Sequence, residues 1–142
     1  MSRCGYSEDG DTDEWATIRW RGQVTSAIRG KRGQAFLTEL LGALDAMPEK
    51  RLIAGELEAG GEVCAIGSVG KKRGIDMSSL DIDNFGQIAE TFGIAHQLVQ
   101  EIEYMNDEGV GWYQVTPEQR WERVRKWVAD QIRTQDAAGP QS

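Results

Sequence analysis

One segment, GQAFLTELLGALDAM at residues 33–47, constrains the fold more than any other. Its apolar residues recur every three or four positions, a spacing that places them on one face of an α-helix. Pro48 follows the segment and ends the helix, because proline disfavours helical backbone in the residue before it. The sequence therefore predicts a helix whose wide apolar face consists of Ala35, Phe36, Leu37, Leu40, Leu41, Ala43, Leu44 and Met47.

A second helix is predicted near the start of the chain, at residues 11–30. Asp11 and Glu14 have the spacing of a capping box, and acidic residues are favourable at the beginning of a helix. The segment also carries an apolar stripe at helical spacing, formed by Trp20, Val24, Ala27 and Ile28.

The last helix is predicted at residues 117–132. Thr116 is a favourable N-cap residue, and Pro117 suits the first helical position because its backbone has no N–H to satisfy. Apolar residues again line one face of this helix. Arg120 and Arg123 are expected to lie mostly outside that face and to point outward.

Residues 50–74 have a different pattern. Apolar residues flank the pair Gly60 and Gly61, which is typical of a short β-hairpin with a glycine turn. The second half is predicted to become a helix from about Ala65, with Gly74 as its C-terminal cap. The predicted fold class is therefore mainly α, with five or six helices and a small β-hairpin, and α+β at the margin.

The length of 142 residues fits one domain. Residues 1–10 are predicted to be a disordered N-terminus because they are small, polar and acidic, and residues 134–142 a disordered tail. Residues 11–133 are predicted to form a single globular domain. No apolar run approaches the roughly 20 residues that a membrane span needs, and the N-terminus has no apolar signal core. We therefore expect a cytoplasmic location and no membrane partner.

Residues 87–102, QIAETFGIAHQLVQEI, resemble the two crossing helices of a helix-turn-helix. Ala89 supplies the small residue of the first helix, and Gly93 supplies a turn residue that tolerates positive φ. The pattern predicts a packed helical corner. If the corner reads DNA, its second helix presents His96, Gln97 and Gln100 to the base edges.

The charge distribution argues against reading DNA as the main function. The net charge is −7 and the isoelectric point is near 4.8. Phosphate binding depends on basic residues, yet no Lys or Arg occurs between Arg73 and Arg120, where carboxylates are frequent. A helix-turn-helix DNA-binding regulator remains the alternative function. If nucleic acid or an acidic partner docks, the predicted contact patch is Lys71, Lys72 and Arg73, with Lys31 and Arg32.

The segment GSVGKK at residues 67–72 invites comparison with a phosphate-binding loop. The Walker pattern requires a glycine where this chain has Ala65. It also requires Ser or Thr directly after Lys71, where this chain has Lys72. The segment is therefore predicted to be a helix or turn with a basic end.

Catalytic and metal-binding residue types are scarce. His96 is the only histidine and is expected to face solvent, and Cys4 and Cys64 are the only cysteines. These residues are too few for a Cys/His metal cluster, and the carboxylates show no spacing that pairs an acid with a base. We therefore predict no enzymatic activity, no catalytic residue, no metal and no cofactor.

The segment EYMNDEGVGWYQV at residues 103–115 combines aromatic residues, methionine and acids around glycines. This composition is typical of protein-binding hot spots in loops. An acidic surface is suited to a partner with a basic surface. The alternative is that Trp112 and Tyr113 pack under the last helix. The predicted partner-binding residues are Glu101, Asp107, Glu108, Trp112 and Tyr113.

Four segments together resemble a family of small proteins from phages and prophages of proteobacteria. They are RGKRGQAFLTELLGALDAMPEKRL, VCAIGSVGKKRGID, YMNDE and TPEQRWERVRKWV. The resemblance implies an accessory protein of a mobile element, similar to anti-CRISPR-type inhibitors of host defence. Such a protein would act in the cytoplasm of a bacterial host cell. It would bind and inhibit a host protein or ribonucleoprotein complex that handles nucleic acid and has a basic surface. Binding of DNA itself is the less favoured possibility.

Overall fold

The computed structural model describes residues 14–108 and 115–138. The predicted disorder at residues 1–10 and the predicted contacts of Trp112 and Tyr113 lie outside these residues. The α-helices are α1 (Glu14–Arg29), α2 (Lys31–Ala46), α3 (Ala65–Arg73), α4 (Phe85–Phe92), α5 (His96–Glu103) and α6 (Pro117–Ala138). The remaining elements are the strands β1 (Glu58–Ala59) and β2 (Glu62–Val63), a 3₁₀-helix (Met77–Ser79) and a π-helix (Tyr104–Glu108).

The predicted fold class is confirmed for the part of the chain that the structure describes. It contains six α-helices and one antiparallel hairpin, in which Glu58 pairs with Val63 and Ala59 pairs with Glu62. The two strands are joined through Gly60 and Gly61, as the glycine pair indicates. Helix α6 runs to Ala138 and thus extends into residues 134–142, for which a disordered tail is predicted.

Three helix ends carry the capping residues that the local sequence predicts. Gly74 caps α3 with φ of 75°, and Gly93 caps α4 with φ of 74°. Before α6, the hydroxyl of Thr116 accepts a hydrogen bond from the backbone N–H of Gln119 at 3.1 Å. The side-chain oxygen of Gln119 in turn accepts one from the backbone N–H of Thr116 at 3.0 Å, which completes a capping box.

The core is built around α2 and α5. Helix α2 packs against α1, α3 and α6, and α5 packs against α1, α3 and α4. Of the predicted apolar face of α2, Leu41 and Met47 are half-buried and Ala35 is exposed, while Phe36, Leu37, Leu40, Ala43 and Leu44 are buried. The rings of Phe36 and Phe92 meet edge to face with their centroids 6.1 Å apart, so α2 and α4 also share the core.

Two buried glycines let α3 lie close to its neighbours. A Cβ atom on Gly67 would be 2.0 Å from the carbonyl oxygen of Leu57, and one on Gly70 would be 2.4 Å from the sulfur of Met77. The two glycines of the GSVG segment therefore lie inside a helix and serve packing. This agrees with the prediction that the segment is not a phosphate-binding loop.

One ion pair joins the end of α3 to α2. The guanidinium of Arg73 donates two hydrogen bonds to the carboxylate of Glu39, at 2.8 and 2.6 Å. It also lies over the ring of Phe92, 5.5 Å from the centroid. The hydrogen bond from Arg73 lowers the pKa of Glu39 below its ordinary value of 4.5.

The Glu39→Gln substitution is expected to lower the free energy of unfolding by about 0.3–1 kcal/mol at neutral pH, because the pair is partly exposed. The folded-state pKa of Glu39 is depressed, so this stability is present above pH 4.5 and is lost as the pH falls through the folded pKa. Urea titrations at several pH values measure the difference. The gap between wild type and the variant should close on acidification, and a constant gap would contradict the assignment.

Candidate functional site

The helical corner packs as predicted, but α5 is an interior helix. Leu98, Val99 and Ile102 are fully buried because α1, α3 and α4 surround the helix. At its surface His96 is exposed, as predicted, and Gln97 and Gln100 are half-buried. A recognition helix needs an exposed side to lie in a major groove. The burial of α5 therefore favours a scaffolding role for this corner.

Two of the predicted partner-binding acids lie in the interior rather than on the surface. Glu101 is 5 % exposed, and its carboxylate lies 3.5 Å from the guanidinium of Arg21 on α1. Asp107 is 8 % exposed and accepts a hydrogen bond from the backbone N–H of Gly55 at 3.3 Å. Both side chains are thus used within the fold, contrary to the expectation of an exposed contact. The side chain of Glu108 lies outside the described residues.

A buried polar network surrounds Asn106, which has no exposed surface. Its Oδ1 accepts a hydrogen bond from the backbone N–H of Ala65 at 3.0 Å. Its Nδ2 donates to the carbonyl of Ile53 at 2.8 Å and to Oδ1 of Asp107 at 2.7 Å. One side chain therefore joins the start of α3, the segment before β1 and the π-helix. The sequence does not reveal this role, because a single Asn in a polar segment is typical of a loop.

Two arginines of α6 complete this network, contrary to the prediction that they point outward. Arg120 donates to the carbonyls of Asn106 at 2.9 Å and Leu52 at 3.0 Å. Arg123 donates to the carbonyl of Met105 at 2.7 Å. Burial lowers the pKa of both side chains. Backbone carbonyls of the π-helix face the interior, where each needs a hydrogen-bond donor, and the two arginines supply these donors.

Cys64 lies next to this network, at the start of α3. Its sulfur accepts a hydrogen bond from the backbone N–H of Gly67 at 3.4 Å and lies 4.0 Å from a carboxylate oxygen of Glu103. Burial, together with the charge of Glu103, raises the pKa of the thiol. A thiol that stays protonated is a poor nucleophile. Cys64 is therefore suited to a structural role.

A group of exposed carboxylates lies earlier in the chain than the predicted partner-binding residues Glu101, Asp107 and Glu108. We call the residues Asp76, Asp81, Asp83 and Glu90 the acidic segment; all four are exposed. The side chain of Asp76 accepts hydrogen bonds from the backbone N–H and the hydroxyl of Ser78, and these bonds lower its pKa. Asp76 is therefore a carboxylate at neutral pH.

Hydrogen bonds to α4 hold the acidic segment in place. The backbone N–H of Asp81 donates to Oε1 of Gln87 at 3.2 Å, and Nε2 of Gln87 reaches the carbonyl of Ser79 at 3.5 Å. Oδ1 of Asp81 accepts a hydrogen bond from the backbone N–H of Asp83 at 2.9 Å. The loop is thus ordered against the helix that carries Glu90, and the carboxylates are displayed from a supported surface.

The three basic residues at the end of α3 have different surroundings. Arg73 is paired with Glu39, and Nζ of Lys71 donates to the carbonyl of Gly61 at 3.2 Å. Lys71 and Lys72 line a groove of about 490 Å³ between the end of α2 and the hairpin. Since Arg73 is held by Glu39, Lys71 and Lys72 are the more accessible members of the predicted nucleic-acid contact.

Within residues 14–108 and 115–138, no set of three or more His, Cys, Asp or Glu side chains is placed to hold a metal ion. None of the helices in these two ranges combines the length and the apolar character needed to cross a membrane. No family model matches the chain, and no match was found among curated proteins or solved structures.

Proposed function

We propose that this chain is a non-catalytic accessory protein of a phage or prophage that binds and inhibits a host complex for nucleic-acid-based defence. The observation that carries the proposal is the acidic segment, in which Asp76, Asp81, Asp83 and Glu90 are exposed on a supported loop and helix. In the sequence, no Lys or Arg occurs between Arg73 and Arg120. The proposed site of action is the host cytoplasm.

Electrostatic complementarity gives the proposed mechanism. A complex that holds nucleic acid needs a basic surface for the phosphates. Carboxylates fixed in one arrangement can occupy such a surface without first being ordered, so little conformational entropy is lost on binding. Inhibition then follows by competition, because nucleic acid and this protein use the same basic surface.

Apolar side chains next to the carboxylates support this proposal. Leu80, Ile82 and Phe85 are only half-buried and alternate with the acids along the chain. Protein interfaces combine an apolar centre with a polar rim, and this segment offers both. The proposal retains Glu108, Trp112 and Tyr113 as further contacts.

Capture from host lysate tests the proposal. The tagged protein is incubated with lysate that has or has not been treated with nuclease, and bound material is identified by mass spectrometry and by staining for nucleic acid. We expect the same basic complex, in stoichiometric amount, from both lysates. Recovery of DNA from the untreated lysate, with no protein recovered after nuclease, would instead support the DNA-binding regulator.

A further inference from the structure

The basic residues near the start of the chain are strongly segregated. Between Trp15 and Thr38 there are five basic residues and no acidic residue, although the whole chain has a net charge of −7. Arg21 is paired with Glu101. The other four, all exposed, are Arg19, Arg29, Lys31 and Arg32.

Three of these four cations line a continuous cleft. A cavity of about 690 Å³ lies between α1 and the first turn of α5 and includes Arg19. A second cavity of about 330 Å³ lies at the start of α2 and includes Lys31 and Arg32. Both are bordered by Ser26, Ala27 and Ala95, so they adjoin, and we call them together the α1–α5 cleft. Among the described residues that line it, none is acidic.

Hydrogen bonds between elements fix the walls of the α1–α5 cleft. Nη1 of Arg32 lies 3.5 Å from the carbonyl of Gly93, and Nε2 of Gln97 donates to Oε1 of Gln23 at 3.2 Å. These contacts tie the start of α2 to the end of α4 and the start of α5 to α1. The cationic groups therefore border an open surface depression that α1, α2 and the start of α5 form together.

A large aromatic side chain stands beside the cleft. Trp15 is 69 % exposed, whereas the other described tryptophans, Trp20, Trp121 and Trp127, are half-buried against the core. Trp15 and Arg19 are four residues apart on α1 and so lie on the same face, about 6 Å apart along the axis. An exposed indole ring offers a surface on which an unpaired base can stack.

We propose that the α1–α5 cleft binds single-stranded nucleic acid. Arg19, Lys31 and Arg32 contact successive phosphates, and an unpaired base stacks on Trp15. This combination of a basic groove with an aromatic platform is how proteins bind single strands without sequence preference. A duplex fits the site less well, because its bases are already stacked and paired. The inference goes beyond the proposed function, since it concerns a different surface and a different kind of ligand.

Fluorescence anisotropy with labelled oligo(dT) tests this proposal on the full chain. With three phosphate contacts, the logarithm of the binding constant should fall with the logarithm of salt concentration with a slope of about −2. The combined substitution Arg19→Glu, Lys31→Glu and Arg32→Glu should abolish binding. Trp15→Ala should weaken binding about tenfold. Ile18→Ala, three residues further along α1 and also exposed, should leave binding unchanged.

The matched control is the combined substitution Arg29→Glu, Lys50→Glu and Lys126→Glu, which changes the net charge by the same amount at exposed sites that do not line the α1–α5 cleft. It should retain most of the binding, and circular dichroism checks that each variant is folded. Three results would overturn the proposal: no binding by wild type at low salt, an equal loss in the control, or tighter binding of a duplex than of the single strand. Because the ligand is isolated nucleic acid, the outcome is independent of any protein partner.

Discussion

The Asn106→Ala substitution is expected to lower the free energy of unfolding by about 2–6 kcal/mol. It removes the acceptor of the buried Ala65 N–H and the donor to the Ile53 carbonyl, which is partly buried. A buried polar group that loses its partner costs about 1–3 kcal/mol, and two are affected. Because a domain of this size is stabilised by only about 5–15 kcal/mol, the loss is a large fraction of the total.

Urea or thermal denaturation measures this effect, and Asn84→Ala is the matched control. Asn84 is exposed, and its side chain caps α4 by accepting a hydrogen bond from the backbone N–H of Gln87 at 3.0 Å. Loss of such a cap costs about 1 kcal/mol. If Asn106→Ala were no more destabilising than Asn84→Ala, the network around Asn106 would not hold the fold as described.

The second large effect is expected from Gly67→Ala, at about 3 kcal/mol of destabilisation. The added Cβ would meet the Leu57 carbonyl oxygen at 2.0 Å and the Leu57 carbonyl carbon at 2.9 Å. Backbone atoms cannot rotate away as a flexible side chain can, so α3 must shift from the hairpin. The gain in helix propensity of Ala over Gly offsets only about 1 kcal/mol.

Gly22→Ala is expected to have the opposite effect, a stabilisation of the fold, in the same denaturation experiment. Gly22 lies in the middle of α1, and a Cβ there would have no atom within 4 Å. With no steric cost, the substitution should stabilise the fold by about 0.5–1 kcal/mol. A stabilising Gly67→Ala would show that α3 does not approach Leu57 so closely.

Features that depend on local sequence could be predicted. The caps at Gly74, Gly93 and Thr116 follow from the residue types that helix ends require, and the glycine pair locates the hairpin turn. The wide apolar face of α2 likewise identifies the helix at the centre of the core. Each of these depends on a few neighbouring residues, so tertiary contacts do not alter them.

The position of charged residues could not be predicted in the same way. Glu101 and Arg120 look like surface residues in the sequence, yet each is buried against a partner that is distant along the chain. The absence of Lys and Arg around α5 in the sequence likewise does not describe the charges around that helix in space. In the structure, Arg19 and Arg32 of α1 and α2 lie beside the start of that helix. Such contacts are set by helix packing, which residue spacing alone does not contain.

The most direct test of the proposed function compares two sets of substitutions that change the net charge equally, from −7 to −1. The first set is Asp76→Asn, Asp81→Asn, Asp83→Lys and Glu90→Lys, in which the asparagines keep the acceptor oxygens that order the loop. The second set is Glu56→Lys, Glu58→Lys and Glu122→Lys, at exposed positions elsewhere.

The measurement is the affinity of each variant for the captured host complex, determined by biolayer interferometry at physiological salt. If the acidic segment is the contact, the first set weakens binding at least about tenfold and the second leaves it nearly unchanged, because only the first places like charges against the basic surface. Equal affinities of the two sets, whether both are weakened or both are retained, would contradict the proposed function.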